Sequence, residues 1–219
     1  MLRVLLTGFG PFPGAPFNPT ASLVRLLARR AGATLPGVRV VDHVFSTSYA
    51  AVDRELPILI ARERPAAILM FGLAGRTRHL RIETCARNAR SRHLKDASGF
   101  LPSGEAIEPD GPSLLQLRSP VTRFLAAARN AGLLAAPSRD AGDYLCNYLC
   151  WRASRIAEGG RQPRIVAFIH VPPVRPVVPV RPVVQASARS FRRPSTLGDL
   201  LAAGEAILEA AVAALRRPR

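Results

Sequence analysis

The sequence predicts an α/β protein, a three-layer α/β/α sandwich built on a mainly parallel twisted sheet. Short apolar segments of strand length alternate along the 219 residues with longer segments whose apolar positions recur at helical spacing. Connections long enough to form helices favour right-handed crossovers and a parallel sheet that is covered on both faces. With 48% hydrophobic residues, the chain can bury such a core as a single domain over 1–219.

The amino-terminal part is predicted to contain three strands and two helices. Asn18 can cap the first helix, and Pro19 fits its first position, where a missing N–H costs nothing. Pro57 should kink the second helix, because proline cannot donate the interior hydrogen bond. The strands are expected at 2–7, 38–45 and 66–71, and the helices at 19–31 and 48–63.

The rest of the chain continues this alternation after an irregular stretch. Residues 89–118 are rich in Gly, Pro, Ser and Asp, which is typical of loops. The residues from Asp140 to Asp143 offer caps for one helix, and Thr196 with Asp199 resembles a capping box before the last helix. The other elements are expected as an extended segment at 81–88, strands at 133–136 and 164–171, and helices at 120–130, 143–158 and 195–216.

Residues 172–194 form a Pro-, Arg- and Val-rich segment with a short tandem repeat. Val174-Arg-Pro-Val-Val-Pro is followed at once by Val180-Arg-Pro-Val-Val-Gln. The prolines exclude a central strand, because proline cannot donate a ladder hydrogen bond. We expect an extended, partly polyproline-like surface segment. Packing of its valines against another subunit is the alternative.

The formal net charge is +16, from 31 Lys and Arg against 15 Asp and Glu. An Arg-rich protein that binds a polyanion such as nucleic acid is one interpretation. The other is the arginine bias of a GC-rich genome, which the even spread from Arg3 to Arg219 favours. We therefore expect no nucleic-acid partner.

The sequence also predicts a soluble, cytoplasmic protein without a membrane partner. No segment approaches the roughly 18 uninterrupted apolar residues of a spanning helix. The first apolar run stops at Thr7, too early for the about 7–15 apolar residues of a secretory signal. The three cysteines are an odd number, which argues against a disulfide framework.

Cys146 is a candidate nucleophile, because it lies near the expected amino end of a helix. There the helix dipole lowers a thiol pKa and favours the reactive thiolate. The alternative is a small buried hydrophobic residue, which is the interpretation we favour for Cys85 and Cys150. Two thiols four residues apart with no nearby histidine make a poor zinc site, so we expect no metal and no cofactor.

His170 and Glu83 are candidate partners of that thiol. His170 ends a predicted strand and precedes two prolines, so it could act as a general base, although a core histidine is an alternative. Glu83 could orient the imidazole, although a carboxylate paired with arginine is an alternative. The carboxyl ends of parallel strands share one edge, where the loops at 8–18, 72–79 and 139–146 should also lie. The three residues therefore suggest a thiol hydrolase with a Cys–His–carboxylate site.

Four stretches of the sequence resemble the pyroglutamyl peptidase I family, also called pyrrolidone-carboxylate peptidases. They occur in family order and cover the chain from residue 4 to about residue 172. The Tyr-Leu-Cys-Asn-Tyr and His-Val-Pro stretches are the most specific. The stretches are Thr7-Gly8-Phe9-Gly10-Pro11-Phe12 with Asn18-Pro19-Thr20, Gly72-Leu73-Ala74 with Glu83 and Asn88, Ala141 to Tyr148, and Phe168-Ile169-His170-Val171-Pro172.

The resemblance implies a cysteine peptidase that removes N-terminal pyroglutamyl residues from peptides through a thioester acyl-enzyme. It also implies a homo-oligomer, either tetramer or dimer, with no metal. Cys146 would be the nucleophile, His170 the base, Glu83 the carboxylate that orients it, and Asp96 a supporting residue. Substrate-binding positions would be Phe9 and Phe12 against the pyroglutamyl ring, and the loop residues Gly72, Leu73 and Ala74 near its carbonyl.

Some positions depart from the family pattern. Pro13 follows Phe12 where the family usually has glycine, and Gly10 stands where an acidic residue is common. Leu73 replaces a frequent glutamine, and His93 replaces a usual arginine. These changes leave open a divergent member that acts on another N-blocked or lactam amide.

Overall fold

The computed structural model describes residues 1–12, 14–160, 162–174 and 195–217. Strands and helices alternate through these residues, which confirms the predicted α/β class. The strands are β1 (Leu2–Phe9), β2 (Val38–Phe45), β3 (Ala67–Leu73), β4 (Leu80–Glu83), β5 (Cys85–Arg87), β6 (Leu114–Gln116), β7 (Ala135–Ser138) and β8 (Ile165–Val171). The helices are α1 (Pro19–Thr34), α2 (Tyr49–Glu63), α3 (Val121–Asn130), α4 (Leu145–Glu158) and α5 (Leu197–Arg216).

Six strands form one mixed sheet in the order β2-β1-β3-β8-β4-β7. All neighbouring pairs are parallel except β4 with β8, which is antiparallel. β5 and β6 form a separate two-stranded antiparallel sheet. The short strand β6 lies inside 89–118, which the sequence predicts to be irregular. The reversed direction of β4 decides where Glu83 lies relative to the catalytic candidates.

The helices cover both faces of the sheet and complete three layers. Alternate residues of β8 point to opposite faces, as the twofold side-chain period of a strand requires. Ala167 and Ile169 join the core beneath α1, α3 and α5, whereas Val166 and Phe168 join the core beneath α2 and α4. The continuously apolar sequence of β8 follows from this burial on both faces.

Two of the predicted helix starts are confirmed. The Asn18 side-chain oxygen accepts a 3.1 Å hydrogen bond from the Thr20 amide, with proline in the first turn of α1. α5 begins with the expected capping box of Thr196 and Asp199. Gly8 allows α1 to approach the sheet closely, because a Cβ at this position would lie 2.8 Å from the Thr20 carbonyl oxygen.

The predicted cap of α4 is wrong. α4 begins at Leu145 with Tyr144 as its N-cap, and no side chain caps it. The Asp140 carboxylate instead accepts hydrogen bonds from the Gly142 amide, at 3.0 Å, and from Arg87, at 2.7 Å. The aspartate therefore stabilises the turn before the helix and leaves the first amides of α4 free.

Some other predictions need adjustment or lie outside the described residues. Pro57 lies inside α2, which continues past it to Glu63. β7 begins two residues later than the strand predicted at 133–136. The surface segment predicted at 172–194 lies outside the described residues beyond 174. Among the residues that the structure describes, no helix has the length and hydrophobicity needed to cross a bilayer.

Candidate active site

A cavity of about 170 Å³ lies at the edge where β1, β3 and β8 end. The loops after β1 and β3, the residues before α4 and the end of β8 form its walls. These are the segments that the sequence places together. The lining residues are Phe9, Phe12, Asn18, Thr47, Leu73, Ala141, Tyr144, Leu145, Cys146 and His170.

Cys146 is the second residue of α4 and is half-buried. The first amides of a helix have no acceptor within the helix, and here no side chain caps them. Their partial positive charge stabilises an anion beside them, either the Cys146 thiolate or an oxyanion formed next to it. The other two cysteines, Cys85 and Cys150, are buried.

His170 lies near the end of β8 and contacts both other catalytic candidates. Its Nδ1 lies 2.8 Å from Oε1 of Glu83, and its ring also interacts with Cys146, which lines the same cavity. Burial alone would lower the pKa of His170, but the Cys146 charge and hydrogen bond, followed by those of Glu83, raise the pKa to about 9. The imidazole therefore keeps a proton at neutral pH and can pair with a thiolate.

Glu83 is fully buried at the end of β4. Arg81, not Glu83, lies opposite His170 in the antiparallel β4–β8 register. Glu83 is therefore the diagonal neighbour of His170 on the same face of the sheet, two residues deeper in the sheet than His170. The Oε2 atom of Glu83 has no hydrogen-bond partner among the described residues. The contacts of Glu83 with His170 and with Arg81 are both made by Oε1.

Arg81 is a polar neighbour that the sequence analysis missed. Its Nη2 lies 3.2 Å from Oε1 of Glu83. The guanidinium also donates to the Ser138 hydroxyl, at 2.7 Å from Nη2 and 3.2 Å from Nε, and to the Asp140 carbonyl. These contacts hold the arginine in place, so that it can fix the Glu83 carboxylate. Arg81 and Glu83 are two residues apart on β4, so their side chains lie on the same face of the strand.

Gly72 leaves space for the thiol. A Cβ at this position would lie 2.8 Å from Sγ of Cys146 and 2.7 Å from the Phe168 ring. Leu73 lines the cavity, whereas Ala74 does not, and the Ala74 amide donates to the Val171 carbonyl at 2.9 Å. That amide is therefore not a free donor for a ligand in this structure.

Phe9 and Phe12 both line the cavity, as expected for aromatic walls. Phe9 is buried and packs against Phe45 with ring centroids 6.1 Å apart. The Phe12 ring lies 6.5 Å from that of Tyr144, the residue before α4. The walls are therefore built from flat apolar surfaces held by the surrounding core.

Asn147 and Thr47 also support the cavity and were not singled out from the sequence. Asn147 is fully buried, and its amide group forms three hydrogen bonds with the backbone of Arg87 and Ala89, each 2.8 or 2.9 Å long. The Thr47 hydroxyl donates to the Gly10 carbonyl at 3.2 Å. Asn147 lies in the specific stretch around Cys146, which offered a signal, whereas nothing local marks Thr47.

Asp96 does not line the cavity but fastens a loop to the start of α2. Its Oδ2 accepts from the Tyr49 amide at 3.0 Å. Its Oδ1 accepts from the Ser98 amide and hydroxyl and from the Phe100 amide, at 2.6 to 3.0 Å. Burial opposes ionisation of Asp96, but these hydrogen bonds prevail and lower its pKa below the ordinary value of 3.8.

Replacing Asp96 with alanine should reduce the free energy of unfolding by about 2 kcal/mol at pH 7, because four donors lose a charged acceptor. Because folding lowers the Asp96 pKa, its contribution is present above pH 3.8 and is lost as the pH falls through the folded value. Urea unfolding of wild type, Asp96→Ala and Asp96→Asn at pH 7 and pH 3 tests this. Equal stability of all three proteins at pH 7 would contradict the anchoring role.

The described residues contain no group of three or more His, Cys, Asp or Glu side chains that could hold a metal ion. The cavity itself presents side chains and the backbone amides at the start of α4. A half-buried thiol next to a protonated imidazole and free helix amides can attack a carbonyl carbon and stabilise the resulting oxyanion.

Proteins similar to this chain share one description. A sequence model of a family described as pyroglutamyl peptidase matches residues 2–210. A pyrrolidone-carboxylate peptidase of Oceanobacillus iheyensis is 33% identical over 172 residues, covering 78% of this chain and 84% of that protein. One from Levilactobacillus brevis is 35% identical over 172 residues, covering 78% of this chain and 82% of that protein.

Solved structures agree with the sequence comparison. A pyrrolidone carboxyl peptidase from Thermococcus litoralis has a TM-score of 0.85 at 27% identity, covering 100% of this chain and 97% of the other. One from Thermus thermophilus has a TM-score of 0.77 at 31% identity, covering 94% of this chain and 99% of the other. The chain belongs to the pyroglutamyl peptidase family.

Proposed function

We propose that this protein is a cysteine exopeptidase that removes N-terminal pyroglutamyl residues from peptides. The observation that carries the proposal is the linked series of Cys146, His170 and Glu83, with the thiol and the imidazole facing one small cavity. Membership in the family supports the same reaction.

The cavity suits a small, neutral acyl group. Its volume of about 170 Å³ is below the range of about 300–1,000 Å³ typical of drug-sized ligands. Pyroglutamate is a neutral lactam without a free α-amino group, so it needs no charged anchor. None of the described lining residues is acidic, so the cavity wall that they form offers no carboxylate to pair with the ammonium of an ordinary N-terminus. Apolar walls from Phe9, Phe12 and Leu73 fit the ring.

The proposed reaction proceeds in two steps. The Cys146 thiolate attacks the pyroglutamyl carbonyl carbon, and the amides at the start of α4 stabilise the oxyanion. The tetrahedral intermediate collapses to a thioester as His170 gives its proton to the departing amine. His170 then removes a proton from water, the hydroxide attacks the thioester, and pyroglutamate leaves as the thiolate re-forms.

The direct test is hydrolysis of a fluorogenic pyroglutamyl amide, with prolyl and glutaminyl amides as controls. We expect cleavage of the lactam substrate alone, because proline and glutamine carry a free α-amine. Iodoacetamide should label one thiol per chain and stop turnover, since Cys85 and Cys150 are buried. If the protein does not cleave the pyroglutamyl amide but cleaves N-acetyl or other lactam amides, it is instead a divergent member of the family that acts on those substrates.

Replacing Gly72 with alanine should lower kcat/KM about 100-fold, because the new methyl group displaces the Cys146 sulfur or the Phe168 ring. Gly75→Ala is the matched control, since a Cβ at that position has no heavy atom within 4 Å and should leave kcat/KM within about twofold. Circular dichroism establishes that both variants fold. Full activity of a folded Gly72→Ala protein would refute the steric role.

We also assign Arg81 as a positioning residue for Glu83. Arg81→Gln should lower kcat about tenfold and leave KM unchanged, because the guanidinium contacts Glu83 but does not line the cavity. Arg81→Lys should restore part of kcat by restoring the charge. An increase in KM with unchanged kcat would show instead that Arg81 serves substrate binding.

We further propose that the protein works in the cytoplasm as a homo-oligomer. All three cysteines are free, which suits a reducing compartment. The exposed apolar side chains of Phe17 and Ile58 support contact between copies of the chain. Light scattering coupled to size-exclusion chromatography should give a mass of two or four chains, and a single-chain mass would contradict the oligomer.

A further inference from the structure

A second, larger cavity lies at the opposite edge of the sheet. It has a volume of about 550 Å³ and is lined by the start of β8, the segment before α3 and the end of α5. β8 runs from this cavity at Ile165 to the candidate active site at His170. At about 3.3 Å per residue, the two sites are roughly 16 Å apart. The peptidase reaction gives this second cavity no role.

Four arginines line this cavity: Arg118, Arg123, Arg164 and Arg217. Among the described parts of the chain, none of them forms an ion pair, whereas many other arginines do, such as Arg87 with Asp140. Within the described residues, Arg118 donates to the Gly160 carbonyl at 3.3 Å, and Arg164 donates to the Leu215 carbonyl. The fold therefore gathers several like charges around one concave surface, and no carboxylate of the described residues pairs with them.

The start of α3 adds further positive potential. Ser119 and Pro120 line the cavity immediately before the helix. No side chain caps α3, and its first turn contains no acidic residue. The Ser119 hydroxyl oxygen is buried and has no hydrogen-bond partner within the described residues. The Val121 and Arg123 amides at this helix start donate to the Ser119 and Pro120 carbonyls, at 2.9 and 3.0 Å. The guanidinium groups are therefore the donors available to an anion, and they are well suited to phosphate.

We infer that this cavity binds a phosphate-bearing anion, with the arginines holding the phosphate. Phosphate is favoured over a single carboxylate because it offers more charge and more acceptor oxygens to several guanidinium groups at once. Leu117 and Leu215 add apolar surface on which the remainder of such a ligand can pack. Only part of the net charge of +16 lies at this cavity. The inference therefore concerns an anion bound in the cavity and does not require an anion bound along the whole protein surface.

Calorimetric titration with tripolyphosphate at constant ionic strength tests the inference. The test variant is Arg118→Gln with Arg123→Gln, because both side chains are exposed and their loss should not affect folding. The matched control is Arg25→Gln with Arg29→Gln, which removes the same charge from the exposed surface of α1, away from the cavity. We expect saturable binding to wild type and control, and binding at least about tenfold weaker to the test variant.

Further titrants distinguish the sources of the phosphate. Citrate should bind at least about tenfold more weakly than tripolyphosphate, and equal affinity would overturn the phosphate assignment. The third titrant is a short single-stranded oligonucleotide. If it binds more tightly than tripolyphosphate, and if the test variant weakens its binding, the natural ligand is a nucleic acid that supplies the phosphate. Equal weakening by the test and control variants, or no saturable binding by wild type, would overturn the inference.

Discussion

Replacing Cys146 with alanine should lower kcat/KM for a pyroglutamyl amide by at least about 10⁴-fold, because no other group in the cavity can form the acyl-enzyme. Cys146 is the only cysteine among the lining residues that the structure describes. The measurement is initial-rate hydrolysis by purified, reduced protein.

Cys150→Ala is the matched control for this experiment. Cys150 lies on the same helix but is buried, and burial raises the pKa of its thiol well above the ordinary value. It should therefore remain an unreactive thiol, and its replacement should leave kcat/KM within about threefold. If Cys146→Ala keeps its activity and Cys150→Ala loses it, the nucleophile is Cys150 and not Cys146.

Replacing Glu83 with glutamine should lower kcat about 10²- to 10³-fold, because the imidazolium loses its buried anionic partner. It should also change the pH profile. In wild type, activity should decline as His170 loses its proton near pH 9. Because Glu83 is one of the groups that raise this pKa, the decline should begin at lower pH in the variant. An unchanged profile would show that Glu83 does not support the charge on His170.

Glu55→Gln provides the control for Glu83→Gln. Glu55 pairs with His43 at 2.8 Å, the same distance as between Glu83 and His170, but neither Glu55 nor His43 lines the cavity. The control removes a His–carboxylate contact without touching the proposed machinery. Its activity and pH profile should therefore match those of wild type.

The same raised pKa has a consequence for stability. Folding raises the His170 pKa above its ordinary value of 6.5, so the folded state binds a proton more tightly than the unfolded chain. The resulting stabilisation is fully present below pH 6.5 and is lost as the pH rises through about 9. Glu83→Gln should reduce this part of the pH dependence.

Much of the fold could be predicted because local signals agreed with the burial that each element requires. The apolar segment at 38–45 has the bounds of β2, and the caps at Asn18 and Thr196 act as expected. The direction of β4 could not be predicted, because a four-residue strand carries no pattern that separates parallel from antiparallel pairing. The cap of α4 was mistaken because Asp140 pairs with a distant arginine, Arg87.

The candidate site was only partly visible in the sequence. Cys146, His170 and Glu83 have reactive side chains, so their chemistry marks them before any coordinates are known. Gly72 contributes by leaving space for a sulfur atom, and this role depends on a distance between separate elements that residue spacing along the chain does not reveal. Arg81 contributes through a contact with Glu83, two residues along the same strand, and becomes recognisable only once Glu83 is known to face His170.

The antiparallel pairing of β4 with β8 ties catalysis to the completion of folding. Glu83 and His170 are 87 residues apart in the sequence and meet only after this central strand pair has formed. Closing such a long loop is a slow, non-local event compared with helix formation. A chain that has formed its helices but not this strand pair would lack the oriented imidazole and would therefore be inactive. Recovery of turnover during refolding should accordingly lag behind recovery of helical circular dichroism.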